Sequence, residues 1–366
     1  MVNLIREAAE IESPSDDKAA LDRMAQFAAG RFANLGGRVM LHPQAQAGDH
    51  LQVTFGGREH GKPVLLLGHF DTVWPVGTVH TMPVRESGGK LYGPGVFDMK
   101  AGIAMMVFAI SWLQQVHGLL PRPVTVLLVS DEEIGSASSR AITEKLAKEH
   151  AAVLVLEPSF GAKGALKTSR KGVGEFTMRV QGVSAHAGLD FDKGQSAVLE
   201  LAKQIAKVSA FTDKRRGITV NAGVVAGGSR SNVIAAEAKA QFDLRVATMR
   251  DAKTMEKRFR ALKAINKKCK LAISGGINRP PLERSQQVKA LFAQARDIAK
   301  ELGFKLDEAS VGGGSDGNFT AALGVSTLDG LGAIGDGAHA IHEHVVVDAL
   351  PWRTALVASL IERIAQ

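Results

Sequence analysis

Acidic residues and a histidine follow three apolar runs in the first half of the chain, at the point where each run ends. The runs PVLLLGHFD, PVTVLLVSDEE and AAVLVLEPS deliver these side chains: His69, Asp71, Asp131, Glu132, Glu133 and Glu157. Carboxylates gathered in one cleft repel each other, so a pair of divalent cations is their natural partner. Histidine combined with Asp and Glu ligands, without cysteine, suits zinc in a catalytic site.

Two further segments offer donors of the same kinds. Asp98 stands at the mouth of a glycine-rich turn, YGPGVFD, that leads into an apolar helix-like segment. Near the C-terminus the stretch GDGAHAIHEH carries His339, His342 and His344 beside Glu343. Both segments become candidates for the same metal site if the fold brings them to the ends of the three runs.

The spacing of some of these residues indicates which of them bind metal and which support or assist the ligands. Asp71 lies two residues after His69, on the same side of an extended chain, where it can accept the imidazole's other N–H and select the metal-binding tautomer. The neighbouring Glu132 and Glu133 cannot both point the same way. One of them would bind metal, leaving the other to accept a proton from the attacking water.

A structural interpretation competes with each of these assignments. A single histidine after a strand is more often structural or solvated than a ligand, and adjacent glutamates are usually a surface pair. Their joint occurrence at the ends of three consecutive apolar runs favours a site. The remaining histidines sit among loop or polar residues with no carboxylate in register, and no role is predicted for them: His42, His50, His60, His80, His117 and His150.

The three runs themselves predict the scaffold. Each is short, nearly continuous and rich in Val and Leu, which is typical of a strand buried on both faces. Amphipathic or apolar helix-like segments, DMKAGIAMMVFAISWLQQV and SSRAITEKLAKEH, separate them. This alternation predicts an α/β fold with a mainly parallel sheet between helices. Ligands of such sheets sit at the carboxyl ends of the strands, so the donors should converge on one edge.

The pattern changes near residue 170. The segments GVGEFTMRVQG, GITVNAGVVAGGS and AEAKAQFDLRV alternate apolar and polar residues, as antiparallel strands with one exposed face do. Helical segments AVLELAKQIAKVSAF and AKTMEKRFRALKAINKK are interleaved with them. We therefore predict a catalytic domain in two parts, residues 1–169 and 279–366, with a small α+β domain inserted at residues 170–278.

Composition narrows the function classes. The chain has 366 residues, 45% of them hydrophobic, and a formal net charge of +8. The basic residues are scattered and no nucleic-acid signature appears, so a basic enzyme acting on acidic small molecules is favoured over a nucleic-acid-binding protein. The single cysteine, Cys269, excludes an intrachain disulfide and a thiolate metal cluster. No apolar run predicts a membrane span and the N-terminus does not resemble a signal peptide, so we expect a cytoplasmic protein without a membrane partner.

Taken together and in order, eight motifs resemble those of the dinuclear zinc aminoacylase and carboxypeptidase family. They are GHFDTV, YGPGVFDMKAG, SDEEIGS, LEPS, VSAHAG, SNVI, GGGSDGN and GAHAIHE, and they cover nearly the whole chain. The family includes acetylornithine deacetylase, succinyl-diaminopimelate desuccinylase and the glutamate carboxypeptidases. Within it, HFDTVWPVGTV, SDEEIGS followed by SR, and GGGSD are most similar to the folate-hydrolysing glutamate carboxypeptidase branch.

The resemblance implies a ligand set. His69 and Glu157 would bind one zinc, Glu133 and His339 the other, and Asp98 would bridge the two. Two Zn²⁺ per subunit are therefore expected, with Co²⁺ or Mn²⁺ as alternatives.

The same resemblance implies the supporting roles. Asp71 would orient His69, Glu132 would be the general base, and the peptide bond after the bridging aspartate, Asp98–Met99, would be cis. His342 occupies a position that usually holds Asn or Asp in the family, so at most an indirect role is expected for it.

The inserted domain resembles the family's ferredoxin-like lid and dimerisation domain. His186, in VSAHAG, would reach the partner subunit's active site and stabilise the oxyanion, and Asn232 would make a similar contact. Arg245, in FDLR, would receive the substrate's free carboxylate, a role suited to a guanidinium; without the resemblance it would be interpreted as a surface arginine. Gly314 and Ser315 would line the substrate side. A homodimer through this domain is expected.

The predicted function is zinc-dependent hydrolysis of the amide bond of an N-acyl amino acid or peptide with a free C-terminal carboxylate, by a glutamate carboxypeptidase. An N-acyl-amino-acid deacylase of the acetylornithine deacetylase or aminoacylase type, or a dipeptidase, is the alternative. A non-catalytic binding protein that retains the fold is a remote one, because all five ligands and Glu132 are present.

Overall fold

The computed structural model describes residues 1–58 and 61–364, so His60 lies outside the described residues. The chain divides into two compact units. Unit 1 comprises Met1–Ser169, Arg284–Val311 and Ser315–Gln366, and unit 2 comprises Arg170–Glu283 and Gly312–Gly314. The insertion predicted at residues 170–278 lies inside the longer stretch of unit 2.

Helices and strands are numbered separately in chain order. The helices are α1 (Val2–Glu10), α2 (Lys18–Ala33), α3 (Thr78–Thr81), α4 (Ala101–His117), α5 (Arg140–Glu149), α6 (Ala197–Ser209), α7 (Met249–Arg260), α8 (Gln286–Glu301), α9 (Gly317–Ala322) and α10 (Leu350–Arg363). The strands are β1 (Arg38–His42), β2 (His50–Phe55), β3 (Val64–His69), β4 (Arg85–Ser87), β5 (Lys90–Tyr92), β6 (Val124–Val129), β7 (Ala152–Val155), β8 (Leu166–Arg170), β9 (Gly172–Gln181), β10 (Thr219–Gly227), β11 (Glu237–Val246), β12 (Lys270–Arg279), β13 (Glu308–Val311), β14 (Thr327–Leu328), β15 (Gly335–Asp336) and β16 (His344–Val346).

The main sheet of unit 1 has six strands in the order β1-β2-β6-β3-β7-β14. Strand β3 lies between β6 and β7 and runs parallel to both, whereas β1 and β2 form an antiparallel edge. Every residue of β3, β6 and β7 is buried, as the continuous apolar runs predict. The predicted mainly parallel α/β fold is confirmed, and the three strands that end in acids or histidine are direct neighbours.

Helix α4 covers the sheet. Among the described residues, Val96–His117 is the one helical segment long and apolar enough to span a membrane, but 78% of its most apolar window is buried within the fold. Burial of that degree is what a core helix of a globular domain shows.

A small four-stranded sheet in the order β15-β16-β5-β4 joins distant parts of unit 1. Strand β16 pairs antiparallel with β5, so that His344 lies opposite Tyr92. This pairing brings the histidine-rich turn near the C-terminus beside the glycine-rich turn that follows β5.

Unit 2 is built around an antiparallel sheet in the order β10-β11-β9-β12, with helices α6 and α7. Its element order is the predicted one: strand, helix, two strands, helix, strand. Phe176 of β9 stacks on Phe259 of α7 with ring centroids 4.0 Å apart.

One helix of unit 2 is shorter than its sequence suggests. The predicted helical segment runs to Lys268, but α7 ends at Arg260. The buried carboxylate of Glu200 accepts hydrogen bonds from the backbone N–H groups of Ile265 and Asn266, each at 2.8 Å. This partner for the backbone favours a turn over a continued helix.

Candidate metal centre

The first half of the candidate centre forms at the end of β3. His69 is the last residue of this strand and is 1% exposed. Its Nε2 lies 3.2 Å from Oδ1 of Asp98 and 3.2 Å from Oε1 of Glu157, which follows the neighbouring strand β7. The parallel pairing of β3 with β7 therefore brings together a histidine and a carboxylate that are far apart in sequence.

The second half forms around His339, which lies in the turn between β15 and β16. Its Nε2 is 3.2 Å from both carboxylate oxygens of Glu133 and 3.5 Å from Oδ2 of Asp98. Asp98 thus presents Oδ1 to His69 and Oδ2 to His339. One carboxylate between two histidines is the arrangement that a bridging ligand needs.

Asp71 contacts residues of both halves of the centre. Its main-chain oxygen lies 3.0 Å and its Oδ1 3.3 Å from Nδ1 of His69, so the ring has an acceptor on the side away from Asp98. The same carboxylate accepts the backbone N–H groups of Glu132, at 3.2 Å, and of Glu133, at 3.1 Å. It also accepts the hydroxyl of Ser15 at 2.7 Å. A single buried carboxylate therefore orients the histidine and holds the acidic turn after β6.

The predicted base lies in the same cluster. Ligand atoms of His69, Glu132 and Glu157 lie within 4.8 Å of one another, as do those of His69, Asp98 and Glu133. Both adjacent glutamates therefore lie near His69, and Glu133 also contacts His339. Which of them binds metal and which acts as the base stays a prediction.

The carboxylates strongly perturb the two imidazoles. Burial by itself lowers the pKa of His69, but hydrogen bonds with Asp71, Asp98 and Glu157 raise it well above 6.5. Hydrogen bonds with Asp98 and Glu133 raise the pKa of His339 to about 10. Without a metal ion, protons take the place of cations between these groups.

The carboxylates are affected in opposite directions. Burial raises the pKa of Glu133, and hydrogen bonding to His339 does not fully offset this effect. Burial also acts on Asp98, but hydrogen bonds from His339 and His69 hold the pKa of its carboxyl well below the usual range. Carboxylate and imidazole donors crowded around a cationic position, without a thiolate, fit a divalent metal ion.

Ser13 and Ser15 escaped prediction from sequence, and so did the supporting role of Glu343, which the sequence offered only as a candidate donor beside His339. Ser13 donates its hydroxyl to the main-chain oxygen of Phe70 at 2.6 Å, and Ser15 donates its hydroxyl to the carboxylate of Asp71 at 2.7 Å. Glu343 is fully buried and contacts the turn that carries Asp98. Its place four residues after His339 was the available signal. The Asp98–Met99 peptide is cis, as the family resemblance implies.

His342 and His344 do not share the role of His339. The ring of His344 packs against Tyr92 with centroids 5.2 Å apart, and its Nδ1 contacts the main-chain oxygen of His342 at 2.9 Å. His342 lines a cavity of about 520 Å³ together with Trp74, Tyr92 and Ile341. His342 is thus a wall residue of this cavity.

In unit 2, the structure brings His186 and Asn232 into adjacent segments. His186 pairs with Val233 in an antiparallel bridge, and the N–H of Ala187 donates to the main-chain oxygen of Asn232 at 3.0 Å. Nδ1 of His186 accepts the N–H groups of Gly188 and Leu189, both at 3.1 Å. With Nδ1 occupied as an acceptor, the neutral ring carries its proton on Nε2, where it can be donated.

The other predicted substrate contacts are engaged within their own units. Arg245 of β11 donates from Nε and Nη2 to Asp243, at 2.9 to 3.1 Å. Gly314 belongs to unit 2, where its main-chain oxygen accepts from Arg170 at 3.0 Å. Ser315 is buried in unit 1 and donates its hydroxyl to Asp329 at 2.5 Å. Their contact with substrate stays a prediction.

Comparison with known proteins identifies the family of the chain. The model of peptidase family M20/M25/M40 matches residues 65–363. Carboxypeptidase G2 of Pseudomonas sp. (strain RS-16) is 30% identical over 99% of this chain and 88% of its own length. Succinyl-diaminopimelate desuccinylase of Stenotrophomonas maltophilia is 30% identical over 86% of this chain and 87% of its own. The crystal structure of aminopeptidase PepT from Bacillus cereus superposes with a TM-score of 0.80 at 21% identity, covering 100% and 98% of the two chains.

These matches extend across both units and include the strands that deliver His69, Glu133 and Glu157. The match to PepT, at its low identity, supports the fold alone. The family model covers most of the chain. The chain belongs to the peptidase family M20/M25/M40.

Proposed function

We propose that this family member is a dinuclear zinc hydrolase that removes a C-terminal glutamate from an N-acylated or peptide substrate. The observation that carries the proposal is Asp98, whose two carboxylate oxygens face His69 and His339 at 3.2 and 3.5 Å. The similarity to carboxypeptidase G2 over 99% of the chain supports the choice of substrate class.

In this proposal, His69 and Glu157 hold one metal ion, Glu133 and His339 hold the other, and Asp98 serves both. Bound there, a divalent pair would supply Lewis acidity and lower the pKa of a coordinated water. The remaining chemistry belongs to the chain's own residues. All five ligands lie in unit 1.

Glu132 is the proposed general base. Its carboxylate lies within the His69–Glu157 group, and its backbone N–H is held by Asp71. It takes the proton from the attacking water and returns it to the leaving amine, so that one residue serves as base and then as acid. Positioned proton transfer of this kind contributes about 10²- to 10⁴-fold in rate.

His186 is the proposed oxyanion donor, acting on the active site of the partner subunit as the family resemblance implies. Its Nδ1 accepts two backbone N–H groups, which leaves Nε2–H available. Arg245 is the proposed contact for the substrate's carboxylate, and Asn232 a further polar contact. Arg245 would exchange its contact with Asp243 for the substrate's carboxylate.

A deacylase is the second candidate. The desuccinylase of Stenotrophomonas maltophilia is as similar in identity, over 86% of this chain, and its name describes removal of a succinyl group. Acetylornithine deacetylase, an aminoacylase and a dipeptidase belong to the same group of alternatives. The metal ligands and Glu132 are compatible with all of them, because each reaction is amide hydrolysis beside a carboxylate.

A substrate panel tests the proposal. The zinc-loaded protein is assayed with pteroyl-glutamate, N-acyl glutamates, N-succinyl and N-acetyl diamino acids, and dipeptides. We expect the highest kcat/KM for substrates that release glutamate, and little dependence on the acyl group by comparison. Preference for a succinyl or acetyl group regardless of the amino acid would favour the deacylase, and hydrolysis of unblocked dipeptides alone would favour the dipeptidase.

Glu132→Gln tests the chemistry itself. This variant should keep both metal ions, because Glu132 is not a proposed ligand, and its kcat should fall by about 10²- to 10⁴-fold. Metal per chain is measured by mass spectrometry and turnover on the best substrate of the panel. Unchanged turnover would remove Glu132 from the mechanism, and absence of bound metal in the unmodified protein would favour the non-catalytic binding protein.

We also propose that the protein is cytoplasmic. It is further proposed to form a homodimer through unit 2. Strand β10 is at an edge of the unit 2 sheet, and its residues Val224 and Val225 are 54% and 57% exposed. An exposed apolar edge strand is a surface on which a second chain can pair. Light scattering should give the dimer mass, and Val224→Lys should shift it towards the monomer; a monomer in the unmodified protein would contradict the proposal.

A further inference from the structure

The carboxylate of Glu343 accepts four hydrogen bonds, one from the side chain of Trp74 and three from the backbone of the Gly95–Asp98 segment. Its Oε2 accepts the indole N–H of Trp74 at 2.8 Å and the backbone N–H of Gly95 at 2.9 Å. Its Oε1 accepts the backbone N–H groups of Phe97, at 2.9 Å, and of Asp98, at 3.0 Å. The side chain is fully buried, so these four donors replace water around the carboxylate.

The backbone of Glu343 is fixed as well. Its N–H donates to Ala340 at 2.9 Å, and its main-chain oxygen accepts from Gly93 at 3.3 Å. His344, the next residue, begins β16 and pairs with Tyr92 of β5. Glu343 therefore sits at a fixed place between the turn that carries His339 and the turn that carries Asp98.

The segment it holds has little regular structure of its own. Gly95 has φ +71, in the left-handed region, and Asp98 and Met99 have non-helical backbone angles within the turn Val96–Lys100. Backbone N–H groups in such a turn lack the regular partners of a helix or strand. The Glu343 carboxylate supplies them for Gly95, Phe97 and Asp98, and so defines where the turn lies.

From these contacts we propose that Glu343 is a positioning residue for the metal pair. By holding the Gly95–Asp98 turn, it keeps one oxygen of Asp98 towards His69 and the other towards His339. Its own backbone lies in the turn of His339, so the bridging ligand and one terminal ligand share a single support. The inference rests on the proposed dinuclear function.

The hydrogen-bond pattern requires a carboxylate at this position. Each oxygen of Glu343 accepts two N–H donors. A glutamine would direct its NH₂ group at two of those donors in either orientation of the amide, and two contacts would become repulsive. Glu343→Gln is therefore a sharp probe, since it preserves the size of the side chain and removes its charge and its ability to accept at both ends.

A residue of similar construction provides the matched control. Glu200 is 2% exposed and also accepts backbone N–H groups, those of Ile265 and Asn266, as well as the amide of Gln204 at 2.8 Å. It lies in unit 2, whereas all five proposed ligands lie in unit 1. Glu200→Gln should perturb a buried turn without touching the centre.

The experiment compares Glu343→Gln, Glu200→Gln and the unmodified protein. Metal per chain and the dissociation constants for Zn²⁺ and Co²⁺ are measured by chelator competition, together with the Co²⁺ absorption spectrum and the melting temperature of the metal-free protein. We expect Glu343→Gln to bind metal about 10- to 100-fold more weakly, the range for lost support of a ligand, and to change the Co²⁺ spectrum. Its kcat should fall with KM nearly unchanged. Glu200→Gln should lower the melting temperature alone.

Wild-type metal affinity and an unchanged Co²⁺ spectrum in Glu343→Gln would overturn the proposal, even if the variant melts early. If that variant does not fold, Trp74→Phe decides the question, because it removes one of the four donors and keeps an aromatic ring at this position. A several-fold loss of metal affinity in Trp74→Phe supports the proposal, and unchanged affinity overturns it. The metal readouts do not depend on which amide is cleaved, so a failed substrate panel leaves this test intact.

Discussion

The two histidines of the candidate centre are held in very different ways. His69 ends a central strand, is 1% exposed, and has Asp71 as an acceptor for its second nitrogen. His339 lies on a turn, its side chain is 50% exposed, and its backbone has φ +63. His69 is therefore part of the main sheet, whereas His339 lies in a loop between the short strands β15 and β16.

This difference predicts unequal halves. A ligand on a strand of the main sheet needs little further ordering when metal binds, whereas a ligand on an exposed turn loses conformational freedom. We therefore expect the His69–Glu157 half to bind metal more tightly than the Glu133–His339 half, with Asp98 common to both. Two measurements test this difference directly, and a third tests the acid stability of the structure around the acidic turn.

The largest effect should come from removing each histidine in turn. His339→Ala should keep about one tightly bound metal per chain, because three protein ligands remain in the other half. His69→Ala should lose the tight metal, and both variants should lose turnover to near background. Metal per chain after dialysis distinguishes them; equal losses in the two variants would show that the halves do not differ.

A smaller effect should follow from weakening the support of His69 alone. Asp71→Asn keeps an oxygen near Nδ1 but removes the charge that His69, Glu132 and Glu133 share. Loss of such a partner typically costs about 10- to 100-fold in metal affinity. Titration with chelators should show this loss first in the tight site. Ser15→Ala, which removes one hydrogen bond to Asp71, is the matched milder change; a larger effect of Ser15→Ala than of Asp71→Asn would contradict the assignment.

The smallest expected effect is a loss of folding stability at acidic pH. Ser138 contacts both His50 and Asp131, the residue that precedes the two glutamates of the acidic turn. The hydroxyl of Ser138 lies 3.1 Å from Nε2 of His50 and donates to the carboxylate of Asp131. Burial lowers the pKa of His50 below 6.5 despite the nearby Asp131, so the unfolded chain takes up this proton first as pH falls. Stability from this residue is present above pH 6.5 and is lost below it.

Melting of the metal-free protein between pH 7.5 and pH 5 checks this expectation. The melting temperature should decline below pH 6.5, and His50→Gln should make the decline shallower. His150 has a pKa shifted in the same direction by burial and remains in both proteins, so their difference isolates His50. Identical slopes would exclude His50 as a source of acid sensitivity.

Much of this organisation could be predicted from local pattern. The buried strands β3, β6 and β7 are continuous apolar runs, and parallel pairing then brings His69, Glu133 and Glu157 to one edge. Pattern alone does not reveal contacts between distant loops. The hydrogen bond from the backbone N–H of Asp98 to the carboxylate of Glu343 joins residues 245 positions apart, and no periodicity in the sequence predicts it.

Another departure has the same origin. Helix α7 ends eight residues before the predicted Lys268, where Glu200, on another helix, provides partners for the backbone beyond it. Here a partner from elsewhere in the chain overrides the local preference.

The contacts of Asp71 also bear on how such a protein can diversify. One carboxylate supports a metal ligand, the proposed base and the turn of a second ligand, so a change there would alter metal binding and proton transfer at once. We therefore expect substrate preference to be set by residues outside this set of contacts. Relatives named for a carboxypeptidase and for a desuccinylase are each 30% identical to this chain.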